Sequence, residues 1–345
     1  MKIFYFETSA INYLWANATD DGIEFIRKLL NSDKDCFLTL SPVSAWEILS
    51  TPDLQTRDEL VHVCQLLFDE SSLFPSPVKI LDTFIERGCK LEISLDGFFN
   101  TDCWISKVWR EVAANKDKTI LVEDGFPKED KEHMKRVSRI LRDLIKNKYT
   151  RQDGHEDEYY NPACDLVNTM YNQVEFIQND KLKEGDIPEY KISLYKTAIF
   201  FAVCLLILGI HTDYDERIDF WNKRNISNDI REQLCYLFHQ NGTILHRGPL
   251  VYIASMAISE VERGTNRGLY KDCLHAVYMP YCTSFFTRDK HFVQMANDDT
   301  IGLWNRVVSI ERFCEDLQAV IESLKSADGI DESKIDPCLP NNRLD

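Results

Sequence analysis

Apolar and polar residues alternate near the start of the chain in a pattern that predicts short strands followed by helices. Residues 2–6 (KIFYF) are rich in aromatic and β-branched side chains, and residues 36–40 (CFLTL) form a second apolar run. Both runs are typical of strands. Residues 10–15 and 22–30 have apolar positions at the spacing that indicates helices. At residues 41–49, Ser-Pro predicts a helix start, with the serine as cap and the proline inside the first turn.

The same alternation returns near the other end of the chain. Helical patterns cover residues 249–263 and 269–278, short strands are predicted at 283–286 and 303–309, and a last helix at 310–325. The order of these elements predicts an α/β fold with a central parallel sheet flanked by helices.

The middle of the chain lacks this strand rhythm. Two helical patterns between residues 56 and 88 lead into it, and residues 89–247 contain charged and apolar helical stretches instead of strands. We therefore predict a large, mostly α-helical insertion. The predicted organisation is a sheet domain formed by residues 1–88 and 248–325, an insertion at 89–247, and a loose polar tail at 326–345.

Composition narrows the class of protein. With 44% hydrophobic and 28% charged residues in 345 positions, the chain resembles soluble globular proteins. Lys2 leads directly into the first predicted strand, so we expect no secretory signal peptide. The eleven cysteines include no CxxC pair, and we expect them to be free thiols in the cytoplasm. No uncharged apolar stretch approaches the roughly 20 residues of a membrane span, so no membrane association is expected.

The net charge of −16 limits the expected partners. A strongly acidic surface argues against tight binding of duplex nucleic acid by the whole protein. It does not exclude catalysis on nucleic acid, because bound metal ions invert the local electrostatic field.

Four acidic residues lie where the chain leaves predicted strands or enters predicted helices. Glu7 follows the first strand, Glu47 lies in the helix after the second, Asp272 lies near a helix start, and Asp289 follows a strand through Thr287. The carboxyl ends of parallel strands are where α/β proteins bind ligands. Each acid also has an ordinary interpretation, as a charge near a helix start, a surface acid or a turn residue. For Glu7, that interpretation makes Thr8 or Ser9 the helix cap.

The four local contexts occur in one order that resembles a PIN domain, a metal-dependent ribonuclease fold. Glu7 precedes Thr-Ser where the family usually has an aspartate. Glu47 matches the acid on the helix after the second strand, Asp272 (D-C-L-H-A) matches the third acid, and Asp289 (T-R-D) matches the last. The resemblance implies a PIN-like sheet and Mg²⁺ or Mn²⁺ bound by these four carboxylates. It also implies RNA as the substrate, hydrolysed in line to leave a 5′-phosphate.

The resemblance leaves substrate contacts and alternatives open. Candidate substrate-binding residues beside the four acids are Ser9, Lys271, Thr287, Arg288 and Lys290. The glutamate at position 7 is one methylene longer than the usual aspartate, which would shift a bound ion by up to about an ångström. A non-catalytic PIN-like interaction or regulatory module is therefore the alternative function, and a structure-specific DNA nuclease is a third. A homodimer and a protein inhibitor are the further partners considered.

Overall fold

A computed structural model describes the parts of the chain that carry the predicted sheet. The described residues are 2–32, 35–68, 73–86, 248–249, 252–253, 256, 259, 269–298 and 304–328. The chain divides into two compact units. Among the described residues, those up to 76 and from 281 onward belong to the first unit, and those from 77 to 86 and from 248 to 280 belong to the second.

The sheet of the first unit is built from both ends of the chain. Its strands are β1 (Lys2–Phe6), β2 (Cys36–Thr39), β3 (Ser284–Thr287) and β4 (Val307–Ser309). They pair in the order β2-β1-β3-β4, and every pairing among these strands is parallel. The predicted α/β class with a parallel sheet is therefore confirmed.

Helices follow each of these strands in the sequence. In the first unit they are α1 (Thr8–Asn17), α2 (Asp20–Leu30), α3 (Pro42–Leu49), α4 (Leu54–Phe68), α7 (Lys290–Asn297) and α8 (Ile310–Asp328); the second unit contains α5 (Pro77–Glu86) and α6 (Leu269–Ala276). The predicted start of α3 is confirmed, since the Ser41 hydroxyl accepts a hydrogen bond from the Ser44 amide at 3.1 Å and Pro42 opens the helix.

Aromatic side chains fill both faces of the sheet. Tyr5 packs on Phe285 with ring centroids 4.9 Å apart, and Phe6 stacks on Phe286 at 4.7 Å. Successive strand residues point to opposite faces, so these two pairs lie on opposite sides of the sheet. Tyr5 and Phe6 are both fully buried, as expected for a parallel strand covered by helices on both faces.

The last strand is shorter than predicted because its first residues form a turn. The Val307 amide donates to the Trp304 carbonyl at 3.1 Å. Trp304 is not part of the strand. Its buried ring packs on Phe292, with 5.9 Å between the ring centroids. The helix predicted at 269–278 ends at Ala276.

The predicted insertion at 89–247 lies outside the described residues, so its boundaries stay predictions. The last helix, predicted to end at residue 325, continues to Asp328, and the rest of the predicted tail at 326–345 lies outside the described residues. Of the helices in the described ranges, none combines the length and apolar character that crossing a membrane requires.

Candidate functional site

The strand order reverses beside β1. The chain passes from β1 to β2 on one side of the sheet and later adds β3 on the other side of β1. Ligands of open α/β sheets bind where the strand order reverses in this way, at the carboxyl ends of the strands. Glu7 directly follows β1, and Arg288 and Asp289 directly follow β3.

Glu7 is buried at this edge with its carboxylate fixed by three donors. Its side chain is 7% exposed. Oε2 accepts hydrogen bonds from the Ser9 amide at 3.0 Å, from the Ser9 hydroxyl and from the Thr287 hydroxyl at 3.0 Å. The carboxylate itself caps α1, so the expectation that Thr8 or Ser9 would be the cap is wrong. A carboxylate accepts this bond more strongly than a hydroxyl does, because it is charged.

Thr287 connects the ends of the two strands. Its fully buried hydroxyl donates to Glu7 and accepts from the Asp289 amide at 2.9 Å. The predicted turn, in which the threonine hydroxyl holds the loop backbone, is confirmed. The Arg288 amide donates to the Ser9 hydroxyl at 2.8 Å, so the loop after β3 is also bound to the start of α1.

Glu47 lies close to Glu7. Its side chain is half-buried on α3, and Oε2 accepts a hydrogen bond from the Thr8 hydroxyl. A carboxylate oxygen of Glu47 lies within 4.8 Å of one of Glu7. Two of the four predicted acids are therefore neighbours, and consecutive residues of α1, Thr8 and Ser9, hold one carboxylate each.

Buried hydroxyl groups fix α3 against β1. The Tyr5 hydroxyl lies 2.8 Å from the Ser41 hydroxyl and 3.3 Å from that of Ser44. The Ser44 hydroxyl also donates to the Phe6 carbonyl at 3.4 Å. Because Glu47 lies one turn after Ser44, this network sets the position of its helix. Tyr5 was not among the predicted contacts; its signal in the sequence is a hydroxyl-bearing residue inside an apolar strand.

Asp289 acts as the N-cap of α7. Its Oδ1 accepts from the His291 amide at 2.6 Å and from the Phe292 amide at 3.4 Å. Within the described ranges, no group of three or more acidic, histidine or cysteine ligand atoms lying within 4.8 Å of one another includes Asp289. The observed contacts of this carboxylate are thus those of a helix cap.

Asp272 belongs to the second unit. It is half-buried in the first turn of α6, the position that its ordinary interpretation predicted. His275, three residues later and so on a neighbouring part of the helix surface, is buried. The Cys273 thiol donates to the Ile253 carbonyl at 3.6 Å inside the same unit. The assignment of Asp272 to a site with Glu7 remains a prediction from the sequence.

The three cationic residues predicted to contact the substrate, Lys271, Arg288 and Lys290, lie in different surroundings. The Arg288 Nε donates to Glu311 at 2.7 Å, and its guanidinium lies 5.5 Å from the ring centre of Tyr13. Lys290 is exposed and Lys271 is half-buried.

The Glu7–Glu47 pair could hold a divalent metal ion. Mg²⁺ and Mn²⁺ prefer oxygen ligands, and carboxylates supply them. Mg²⁺ holds oxygen at about 2.0–2.1 Å, so two ligands of one ion lie up to roughly 4.2 Å apart. Oxygens within 4.8 Å of each other need only a small side-chain rotation to meet this requirement. The donor set fits a hard cation without fixing its identity.

Comparisons of the chain with protein-family models, curated proteins and solved structures found no match.

Proposed function

We propose that the protein is a metal-dependent endoribonuclease with a PIN-like fold, interrupted by a helical insertion. The observation that supports this proposal is the buried Glu7 carboxylate at the end of the central strand, with a Glu47 oxygen within 4.8 Å. Two close carboxylates repel each other, and burying their charge without compensation is costly. A divalent cation between them removes both costs.

The proposed ligands and their supports come from different elements. Glu7 and Glu47 bind Mg²⁺ or Mn²⁺ at the carboxyl end of β1. Ser9 and Thr287 orient Glu7, and the Thr8 hydroxyl orients Glu47. When bound, such an ion lowers the pKa of a coordinated water and offsets negative charge on the phosphodiester.

Asp289 and Asp272 complete the proposed set of four carboxylates. Asp289 caps α7 through Oδ1 at the end of the strand that adjoins β1. The assignment of Asp272 is supported by its sequence motif alone.

RNA is the proposed substrate. Arg288, in the turn after β3, and Lys290, the first residue of α7, flank Asp289 and are exposed, so they can contact phosphates. With a net charge of −16, the protein needs such local cations to approach an anionic strand.

The test compares cleavage of labelled single-stranded RNA by the wild-type protein and by Glu7→Gln and Asp272→Asn, with Mn²⁺ or with EDTA. We expect cleavage by the wild type only with metal, and a loss of roughly a hundredfold in each variant. Glu322→Gln, which removes an exposed carboxylate from α8, is the matched control and should retain activity. Equal cleavage by wild type and Glu7→Gln would overturn the proposal.

A non-catalytic PIN-like interaction module is the second candidate. The observation that favours it is that Glu7 and Asp289 both cap helices, a structural role that needs no metal. Calorimetric titration with Mn²⁺ near neutral pH separates the two: absence of binding supports the module, and binding lost in Glu7→Gln supports the nuclease.

A further inference from the structure

Arg288 is anchored to the residue that holds Glu7. Its backbone amide donates to the Ser9 hydroxyl, and the same hydroxyl donates to the Glu7 carboxylate. The Ser9 hydroxyl therefore holds both the Glu7 carboxylate and the backbone from which the Arg288 side chain extends.

Two further residues set the direction of the guanidinium. Glu311, in the first turn of α8, accepts from Nε at 2.7 Å. The ring of Tyr13 lies beneath the guanidinium, 5.5 Å from its central carbon, in the range of a cation–π contact. Burial, with smaller effects of Cys314, Glu311 and Glu315, raises the pKa of Tyr13, so the phenol is neutral at pH 7.

This arrangement uses one edge of the guanidinium and leaves another available. Arginine has five N–H donors, of which Nε carries one. Within the described residues, no protein acceptor binds the two Nη groups, and the side chain is 52% exposed. The paired Nη groups are the geometry that binds two phosphate oxygens at once.

Tyr13 lies one turn after Ser9, about 6 Å along α1. The guanidinium contacts Glu311 and Tyr13, whereas Oε2 of Glu7 is bound by Ser9 and Thr287. A cation that lies beside the carboxylates without binding them suits a phosphate next to the scissile one.

We propose that Arg288 binds a flanking phosphate of a single-stranded RNA, and that Tyr13 and Glu311 are positioning residues that hold its guanidinium in place. The proposal rests on the proposed function for the identity of the ligand. An exposed arginine–glutamate pair adds little to stability. The fixed orientation of Arg288 therefore serves to bind a phosphate.

The experiment measures binding of the full chain to a fluorescein-labelled single-stranded oligoribonucleotide by anisotropy, in EDTA and at several salt concentrations. We expect Arg288→Gln to weaken binding about tenfold and to reduce the slope of log affinity against log salt by about 0.7. Arg288→Lys keeps the charge but loses the paired donors, so it should restore the slope and only part of the affinity.

Substitutions of the two positioning residues are expected to change RNA binding to different extents. Tyr13→Leu should weaken binding about threefold, while Tyr13→Phe keeps the ring and the affinity. Glu311→Gln keeps an acceptor for Nε and removes a competing negative charge, so it should tighten binding. A residue that only stabilised the fold would not change the salt slope.

Arg312→Gln is the matched control, since Arg312 is an exposed arginine of α8 paired only loosely with Asp316, at 3.9 Å. Equal losses in Arg288→Gln and Arg312→Gln would overturn the inference, and so would a wild-type protein that does not bind the RNA. A protein that binds RNA through Arg288 but does not cleave it would contradict the nuclease and keep the inference. RNA cleavage and RNA binding that are both unchanged in Arg288→Gln would contradict the inference and keep the nuclease.

Discussion

The hydroxyl of Thr287 donates a hydrogen bond at 3.0 Å to Oε2 of Glu7, a residue 280 positions earlier in the chain. This bond joins the ends of two adjacent strands at the point where the strand order reverses. The carboxylate at the end of β1 is thus held in place by a side chain from the other end of the sequence.

Thr287→Val should destabilise the protein and weaken metal binding. Valine keeps the shape of threonine but leaves the buried Glu7 carboxylate without one of its donors. Loss of a hydrogen bond to a charged group costs about 1.5–3 kcal/mol. Urea unfolding and Mn²⁺ titration measure the two effects. Thr287→Ser keeps the hydroxyl and should lose only about 1 kcal/mol for the missing methyl group. Equal behaviour of the two variants would contradict a role for the hydroxyl.

Tyr5→Phe should loosen α3 and with it Glu47. The substitution leaves the buried hydroxyls of Ser41 and Ser44 without the donor or acceptor they share, at a cost of about 1 kcal/mol. Mn²⁺ affinity should fall severalfold, because Glu47 lies one turn beyond Ser44. Tyr13→Phe, outside this network, is the control for the loss of a phenolic hydroxyl. An unchanged Mn²⁺ affinity in Tyr5→Phe would show that the network does not position Glu47.

Asp289 offers a test that separates a helix cap from a metal ligand. Asparagine caps helices about as well as aspartate, so Asp289→Asn should change the free energy of unfolding by only a few tenths of a kcal/mol, while Asp289→Ala costs about 1 kcal/mol. If the proposed function is right, both variants lower Mn²⁺ affinity. Thr19→Ala removes the cap of α2 and should lower stability alone. An unchanged Mn²⁺ affinity in Asp289→Asn would show that this carboxylate caps α7 and does not bind the metal.

Local signals accounted for the elements that place the site. Ser41-Pro42 predicted the start of α3, and the apolar runs at 2–6 and 36–40 predicted β1 and β2, because capping and strand propensity act over a few residues. The turn at Thr287 and Asp289 was predicted for the same reason, although the capping of α7 by the Asp289 carboxylate was not.

The remaining features depend on contacts between distant segments. The bond from Thr8 to Glu47 follows from the packing of α1 beside α3, and the sequence contains no local signal for it. Likewise, the pattern at 303–309 predicted a strand of full length, but residues 304–306 form a turn in which the buried Trp304 packs against Phe292, and β4 begins at Val307. Tertiary packing overrode local preference at that position.

Asp53 should contribute to stability in a pH-dependent way. Its carboxylate accepts from the Thr56 amide at 2.7 Å just before α4, and this bond holds the pKa of Asp53 below its ordinary range. A lowered folded-state pKa stabilises the protein fully above the unfolded-state value, and the contribution is lost as the pH falls through the folded-state value.

Urea midpoints measured between pH 7 and pH 3 check this expectation. Asp53→Asn should lose less stability on acidification than wild type. Asp316→Asn, which removes an exposed carboxylate from α8, should follow the wild-type curve. Parallel curves for wild type and Asp53→Asn would contradict the assignment.

Because β1 lies between β2 and β3, the sheet can be completed only after the ribosome has synthesised β3. β2 is synthesised soon after β1, whereas Thr287 follows Glu7 by 280 residues. At about 5–20 residues per second, that interval lasts roughly 15–60 s. Until β3 emerges, the other edge of β1 has no partner strand, and an unpaired edge with aromatic side chains favours incorrect pairing. Truncated products that stop before β3 are therefore expected to aggregate, and the nascent chain to be a substrate for chaperones.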